Sequence, residues 1–342
     1  MKILITGGCG FVGSNIAVFL KKNMKNVRIS SLDNLERQGS KLNEKRLKKI
    51  NIKNYRIDIN NHKKIQELKK FNLIIDCCAE PSVEISKKNP EKVFKTNLLG
   101  TFNILRKCAK EKSNIIFLSS SRVYSIGALR KLVPKLNINR SLNIHKLIDE
   151  KFETEPVSSL YGFTKLASEK LIKEIFYNTK LKYIINRFGV IAGPWQFGKE
   201  DQGFVPLWVA KHFYKKNLSY IGFGGFGYQV RDIIHINDVC EIILIQIRKL
   251  NKTFNETFNI GGGKKNSISL RQLTSKCEKL TSKKIKFKKI KQTSDYDIPY
   301  YVTNNRKVIK FYKWQPLNNI DRILKDILSW LIMNKNIKKY FK

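Results

Sequence analysis

The sequence predicts an α/β fold: a doubly wound parallel sheet followed by a smaller α+β C-terminal part. Three observations carry this. Over roughly the first 190 residues, short apolar runs alternate with segments of helical period. A glycine-rich turn, "ITGGCGFVGS", lies between the first such run and the first helical segment. Beyond Arg187 the alternation stops, and glycine and aromatic residues crowd "GPWQFGKEDQGF" and "GFGGFGYQ", which read as loops.

The elements follow in order. "KILIT" (2–6) is a strand and 11–23 a helix. "VRISSL" (27–32) is a second strand and "YRIDI" (55–59) a third. "NHKKIQELKK" is a helix that Asn60 or Asn61 caps, because a short amide side chain there accepts from the first free backbone N–H groups. "LIIDCCA" (73–79) is the fourth strand, 90–110 has a helical period, and "NIIFLS" (114–119) is the fifth strand. A helix over 161–178 follows, with Leu166, Leu171 and Ile175 among its apolar positions, and "KYIINRF" (182–188) is the sixth strand. Strands alternating with helices make a parallel sheet covered on both faces. The C-terminal half ends in an amphipathic helix with apolar Ile320, Ile323, Leu324, Ile327, Leu328 and Leu331, and some of its segments return to the sheet. The expected domains are 1–186 with 233–262, binding a dinucleotide, and 187–232 with 263–342, binding the substrate.

Composition narrows the functional classes. The chain has 342 residues, 42% of them hydrophobic, which supports a sizeable core. No run of eighteen apolar residues occurs; "VCEIILIQI" (239–247) is short and carries Glu241, so no membrane span is expected. "MKILIT" runs directly into glycines and does not read as a signal peptide. Six cysteines show no zinc spacing, no metal is expected, and the adjacent Cys77 and Cys78 read as buried thiols of a reducing cytoplasm. The net charge of +40 invites a nucleic-acid reading. Lysine is spread along the chain together with much Asn and Ile, so the charge reads as a compositional bias and a solvated basic surface, helpful at most in attracting anionic substrates.

Gly7, Gly10 and Gly13 are spaced Gly-x-x-Gly-x-x-Gly between strand and helix. That pattern allows a sharp turn, close approach of a pyrophosphate to the backbone, and helix packing on the strand, with the helix N-terminus facing the phosphates. Asp33 follows Gly13 by twenty residues at the end of the second strand. A carboxylate there accepts from the adenosine ribose hydroxyls and repels a 2′-phosphate, so NAD is the expected cofactor. Asp58 is placed to meet the adenine.

"SSLYGFTKLASEK" sets Tyr161 four residues before Lys165. On its own this is common helix spacing. Together with the glycine turn, Asp33, Asp58, Asn97, Ser119-Ser120, Arg231-Asp232 and "NIGG" (259–262), the chain resembles the extended short-chain dehydrogenase/reductases of the NAD-dependent epimerase/dehydratase family, from about residue 3 to 330. The resemblance implies a Rossmann-like cofactor domain and three catalytic residues: Ser120, Tyr161 and Lys165. A phenol with a pKa of about 10 is a poor base at neutral pH. A lysine one helical turn on, with the nicotinamide charge, favours the phenolate, which then removes a proton from a sugar hydroxyl. Lys165 would also hold the nicotinamide ribose. Cofactor contacts are implied at Gly7, Gly10, Phe11, Val12, Gly13, Asp33, Asn34, Asp58, Ile59, Ala79, Asn97, Tyr161 and Lys165, and substrate contacts at Ser82, Ser120, Gln196, Gln202 and Arg231. Relatives of this kind form dimers or tetramers, so a homo-oligomer is implied.

Two departures refine the expectation. The dehydratases of the family carry Asp and Glu after the catalytic serine; here the places hold Ser121 and Arg122, which argues against elimination of water. Where many relatives have Asn three residues after the arginine, this chain has Val190. "SSSRVYSIGAL", "RFGVIAGPWQFGKEDQGF", "GFGGFGYQVRD" and "YYVTNNRKV" resemble the CDP-paratose (CDP-tyvelose) 2-epimerases more narrowly. That implies a tightly held NAD, oxidation of a CDP-linked dideoxysugar at C2 to a 2-keto intermediate, hydride return to the other face, and a product for cell-surface polysaccharide. Arg231 would pair with the diphosphate, and Trp195, Gln196 and Gln202 would lie in loops near the sugar or base. Epimerisation of a UDP-, GDP- or dTDP-sugar at C2 or C4 remains an alternative, as does a non-catalytic NAD-binding protein. The connection 125–160 is expected beside the sugar pocket.

Overall fold

The computed structural model describes residues 1–133, 146–156, 159–199 and 202–341. Among them thirteen strands run in chain order: β1 Lys2–Thr6, β2 Arg28–Leu32, β3 Lys53–Tyr55, β4 Leu73–Asp76, β5 Asn114–Ser120, β6 Tyr183–Phe188, β7 Val190–Ala192, β8 Leu218–Ile221, β9 Val230–His235, β10 Glu256–Ile260, β11 Ser267–Ser269, β12 Phe287–Ile290 and β13 Tyr300–Tyr301. They fall into two compact units: one of residues 1–123, 159–187 and 239–258, the other of 124–158, 188–238 and 259–342. Relative to the expected division, residues 124–158 and 233–238 lie in the second unit, and β10 runs from the first into the second.

The first unit is built on a seven-stranded sheet of order β10-β6-β5-β4-β1-β2-β3. β1 pairs in parallel with both β2 and β4, Ile3 facing Ile29 on one side and Leu73 on the other. The strand order therefore reverses beside β1, and in such sheets the crevice at the carboxyl ends of the strands there receives the ligand. The central strands are apolar along their middles: Ile3, Leu4, Ile5, Ile74, Ile75, Ile115, Ile116 and Phe117 are fully buried. Ile104, Leu105, Ile172 and Phe176 from two helices close the core over one face. Each such side chain contributes about 1.5–3 kcal/mol on leaving water.

The helices of this unit follow the sequence closely. Phe11–Asn23 is helical as expected. His62–Glu67 is capped by Asn61, whose side chain accepts from the Lys64 N–H. The helical stretch after Pro90 is Pro90–Phe94, a π turn over Lys95–Leu99 and Gly100–Glu111. Leu160–Phe176 starts at Ser159, which accepts from the Gly162 N–H. The helix Ser40–Lys48 has no apolar stripe to announce it: it buries Ser40 and Asn43 beside Leu47, and Asn43 Nδ2 donates to the Cys9 carbonyl at 3.0 Å.

Two strands differ from the reading. The third lies at Lys53–Tyr55, ahead of the 55–59 run. Its register on β2 ends at Leu32–Tyr55. Arg56 then turns outward to Glu44 at 2.7 and 2.8 Å, and Asp58 accepts the Asn60 N–H, closing a turn. The fourth strand stops at Asp76, just ahead of Cys77 and Cys78. They sit where the glycine turn presses on the strand end: a Cβ on Gly7 would lie 2.9 Å from Cys78 Cα. Burial, then the Asp76 charge, pushes both thiols well above their ordinary range.

The second unit is α+β. β9 pairs antiparallel with β11 and parallel with β13 and β7; β8 and β12 form a separate parallel pair. The C-terminal helix Ile320–Met333 buries Ile320, Ile323, Leu324, Ile327, Trp330 and Leu331, with Leu328 half-buried. Trp195 and Phe197 pack on Trp330 with ring centroids 6.0 and 5.5 Å apart, which gives the "GPWQFG" loop an aromatic anchor. Of the 125–160 connection, the ends join this unit through the Ser125-capped helix Ile126–Lys131 and the Ile148–Thr303 bridge, while residues 134–145 and 157–158 lie outside the described ones. Among the described residues no helix is long and apolar enough to cross a membrane.

One buried ion pair ties the helix Leu160–Phe176 to the sheet. Arg187 on β6 meets Glu169 at 2.7–3.1 Å, and Glu169 Oε1 also accepts from Ser119 Oγ of β5 at 2.5 Å. The two ionic side chains are 7% and 1% exposed, so either one left alone would be a buried, uncompensated charge. Arg187→Met is expected to cost about 3–5 kcal/mol, read as a lower urea midpoint. The double replacement Arg187→Met/Glu169→Leu should recover most of it. An unmoved midpoint in Arg187→Met would show that the pair does not hold the helix.

Candidate active site

The site begins with backbone. Gly7 leaves β1 at φ +59°, in the left-handed region. The Gly10 N–H returns to the Gly7 carbonyl at 2.9 Å, so the turn is tight. A Cβ on Gly13 would lie 2.4 Å from that same carbonyl oxygen, a collision with fixed backbone. The helix Phe11–Asn23 thus starts against the end of β1, with Gly10 as a cap that offers no side-chain hydrogen bond and no acidic residue in the first turn. The N–H groups of Phe11, Val12 and Gly13 lead that helix, and its positive end suits a pyrophosphate. The cradle fits a dinucleotide.

Asp33 stands one residue past β2. Its carboxylate accepts from the Cys9 N–H at 3.0 Å and the Leu35 N–H at 2.8 Å, which links it to the glycine turn. Burial raises its pKa, while those two N–H groups and Arg37 work against the rise. Asn34, next to Asp33, donates to Asp58 at 2.8 Å, which joins two of the residues expected at the cofactor. Asp58 is exposed and Ile59 beside it is buried. Ala79 lies just past β4, half-exposed.

Asn97 has a different character. It is fully buried in the π turn, its Oδ1 accepts from the Glu80 N–H at 2.7 Å, and its Nδ2 donates to the Glu80 carbonyl and to Thr164 Oγ1, both at 3.1 Å. Its side chain thereby joins the chain after β4 to the helix of Tyr161. Ser82, expected at the substrate, caps the helix Val83–Lys88 by accepting from the Ile85 N–H at 3.0 Å.

The three expected catalytic side chains lie in the first unit. Ser120 ends β5 and Tyr161 opens the helix Leu160–Phe176. Tyr161 is 9% exposed and Lys165 2%. Burial lifts the phenol pKa, whereas Ser120, Arg122 and Arg37 lower it and Glu80 raises it. Burial likewise lowers the Lys165 pKa against the opposing pull of Asp76, Cys78, Cys77 and Glu169. The Lys165 ammonium stands 4.0 Å over the Phe117 ring, a cation–π contact. The cations named at the phenol are thus arginines that spacing alone does not mark. Arg37, paired with Glu80 at 3.5 Å, was missed by sequence reasoning; its signal is only a basic residue four positions after Asp33.

The remaining expected residues belong to the second unit. Arg231 donates to the carbonyls of Val230 at 2.7 Å and Ile298 at 2.5 Å. Asp232 beside it is buried and accepts from the Gly263 N–H at 2.9 Å. Gln196 Nε2 donates to the Ile191 carbonyl at 3.3 Å, and Gln202 exchanges backbone hydrogen bonds with Lys199 at 2.7 and 3.2 Å.

Comparison with known proteins identifies the family. Residues 3–261 match the NAD dependent epimerase/dehydratase family. CDP-paratose 2-epimerase of Salmonella typhi is 29% identical, over 92% of this chain and 95% of its own. UDP-glucuronate 4-epimerase of Thermodesulfobacterium geofontis is 28% identical over 99% and 98%. The UDP-glucuronic acid 4-epimerase of Bacillus cereus, solved with UDP-glucuronic acid and NAD, shares the fold with a TM-score of 0.81 at 23% identity, covering 97% of this chain and 99% of that one. With the glycine cradle, Asp33 and the Ser120–Tyr161–Lys165 set in one Rossmann-like unit, this chain belongs to the NAD dependent epimerase/dehydratase family, enzymes that use NAD on nucleotide sugars.

Proposed function

We propose that the chain epimerises a CDP-linked dideoxysugar at C2, converting CDP-paratose to CDP-tyvelose. The observation that carries the epimerase reading is the turn after β5: Ser121 and Arg122 follow Ser120 in the places where the dehydratases carry an Asp–Glu pair. The CDP-sugar reading draws support from the four local stretches quoted above and from the Salmonella typhi relative, which matches over nearly the whole chain. A second reading, C4 epimerisation of a UDP-sugar, draws support from the Thermodesulfobacterium geofontis relative over 99% of the chain.

NAD, held at the glycine cradle and Asp33, would supply reversible hydride transfer at the sugar carbon. The chain supplies the rest. Gly7, Gly10 and Gly13 give the pyrophosphate its approach, and Asp33 accepts from the ribose. Ser120 orients the sugar hydroxyl, and the Tyr161 oxygen takes that hydroxyl's proton and later gives it back. Lys165 donates to the nicotinamide ribose. Arg231 and the loop carrying Gln196 and Gln202 serve the diphosphate, sugar and base, and Ser82 positions the chain that borders Tyr161. The protein acts in the cytoplasm, in polysaccharide precursor synthesis. Phe94, Leu99, Phe102 and Phe163, 37–48% exposed on the helices Pro90–Phe94 to Gly100–Glu111 and Leu160–Phe176, support a homo-oligomer.

Proton NMR of CDP-paratose mixed with the purified protein, with no NAD added, is expected to show CDP-tyvelose signals growing in. No change even after NAD is supplied would remove the CDP-sugar assignment, and conversion of a UDP-sugar under the same conditions would establish the second reading. Tyr161→Phe should lower turnover by about 10²–10⁴ while NAD stays bound. Full turnover in that variant would leave the chain a base other than Tyr161. Because burial raises the Asp33 pKa, its carboxylate is lost on acidification sooner than an ordinary one with a pKa of about 4. NAD affinity measured by calorimetry should therefore weaken as pH falls, starting above that value, and Asp33→Asn should flatten the dependence. A parental affinity that stays level with pH would exclude Asp33 as the ribose acceptor.

A further inference from the structure

The two-stranded sheet of β8 and β12 in the second unit has an unused side. β12 pairs with β8 in parallel, from Phe287 beside Leu218 to Ile290 beside Ile221, and among the described residues no other strand pairs with it. The Lys286 carbonyl accepts from the Leu218 N–H at 3.2 Å, and the Ile290 carbonyl from the Gly222 N–H at 2.9 Å. In a strand, the N–H and C=O of one residue point to the same side, and successive residues alternate. Lys286, Lys288 and Ile290 therefore turn their backbone to β8, while the N–H and C=O groups of Phe287 and Lys289 face away from it. Such a row is a template for one more strand.

The side chains alternate as well. Over 284–288, exposed Lys284, Lys286 and Lys288 alternate with half-buried Ile285 and Phe287. Phe287 stacks on Tyr220 of β8 with ring centroids 4.6 Å apart, so that face of the pair is turned inward. Lys286 and Lys288 stand on the opposite, open face. Nearby lysines are engaged: Lys283 Nζ donates to the Phe213 carbonyl at 2.7 Å, and Lys289 Nζ stands 5.6 Å over the Phe226 ring. The ammonium groups of Lys284, Lys286 and Lys288 have no such partner among the described residues. The sequence holds no acid between Glu278 and Asp295, and none on β8.

Three kinds of occupant fit this edge unequally. A second copy of the chain would bring its own Lys286 and Lys288 against these, and like charges across a strand pair repel. A nucleic-acid backbone satisfies the lysines, but its phosphates only accept, so the outward carbonyls of Phe287 and Lys289 stay without donors. An extended peptide with carboxylates at every second position meets both demands. Its N–H and C=O groups pair with those of Phe287 and Lys289, and its acidic side chains fall beside Lys286 and Lys288 on the open face. We propose that the outer edge of β12 docks an extended acidic segment of another protein as an added strand. The proposal does not depend on which sugar nucleotide the chain epimerises.

The probe is a fluorescein-labelled peptide alternating Glu and Thr, titrated with the purified protein at physiological salt and followed by anisotropy. Saturable binding is expected. The same peptide N-methylated along its backbone keeps its charge but loses its N–H donors, and its affinity should fall by about tenfold or more. Lys286→Glu/Lys288→Glu should weaken the Glu–Thr peptide by about the same factor. That variant should also gain a Lys–Thr peptide that the parental protein rejects, a gain that a misfolded protein does not give. Absence of saturable Glu–Thr binding overturns the proposal, as does equal binding of the N-methylated form or a double variant that holds the peptide as tightly as the parent. Tighter binding of single-stranded oligothymidylate, lost in the double variant, would make the edge a nucleic-acid contact and overturn it too.

Discussion

The buried contact of Glu169 with Arg187 and Ser119 is the constraint on which the site depends. Tyr161, Lys165 and Glu169 follow one another at four-residue spacing, so they lie along one face of the helix Leu160–Phe176. All three are buried. Glu169 fixes the rotation and depth of that face, because its carboxylate is held by a guanidinium on β6 and a hydroxyl on β5 at once. The residue after Ser119 on the same strand is Ser120, and Tyr161 lies two helical turns before Glu169 on the same helix. Placement of the reacting oxygen thus follows from an ion pair deep in the same unit.

A second clamp works on the other side of the helix start. Asn97 binds both backbone groups of Glu80 and the Thr164 hydroxyl, so one amide sets the distance between the chain after β4 and the helix. Thr164 lies one residue before Lys165, and Glu80 is among the charges felt by Tyr161. The π turn over Lys95–Leu99 brings Asn97 inward, as an extra residue in a helical turn does. The glycine turn completes the frame with backbone alone, since Gly7 and Gly13 leave no space for side chains between strand and helix.

Sheet, cofactor turn and catalytic helix were legible because each rests on a local pattern with a physical period or a steric requirement. The alternation of apolar strands with helices, the glycine spacing and the Tyr161–Lys165 interval are of this kind. The boundaries that differed depend on partners far away in the chain. β3 is short because its register on β2 runs out and Arg56 finds Glu44. β4 stops because Gly7 needs the space beside Cys78. The helix Ser40–Lys48 buries polar side chains, and no apolar period announces it. Asn97 and Ser82, expected as ligand residues, also bind the Glu80 backbone, the Thr164 hydroxyl and the Ile85 N–H, a use that residue type does not reveal.

Composition bears on which signals could be read at all. With 67 basic residues against 27 acidic, a lysine or arginine at any position says little by its type, whereas a carboxylate in the interior says much. Asp76 and Glu169 are fully buried, Glu80 nearly so, and Asp33 is half-buried; all four surround the cofactor turn and the catalytic helix. Each has a stated partner: Thr6 and Thr101 for Asp76, Arg187 for Glu169, Arg37 for Glu80, and the Cys9 and Leu35 N–H groups for Asp33. A polar group buried without such partners is costly. The few interior acids therefore mark the site more sharply than the many bases.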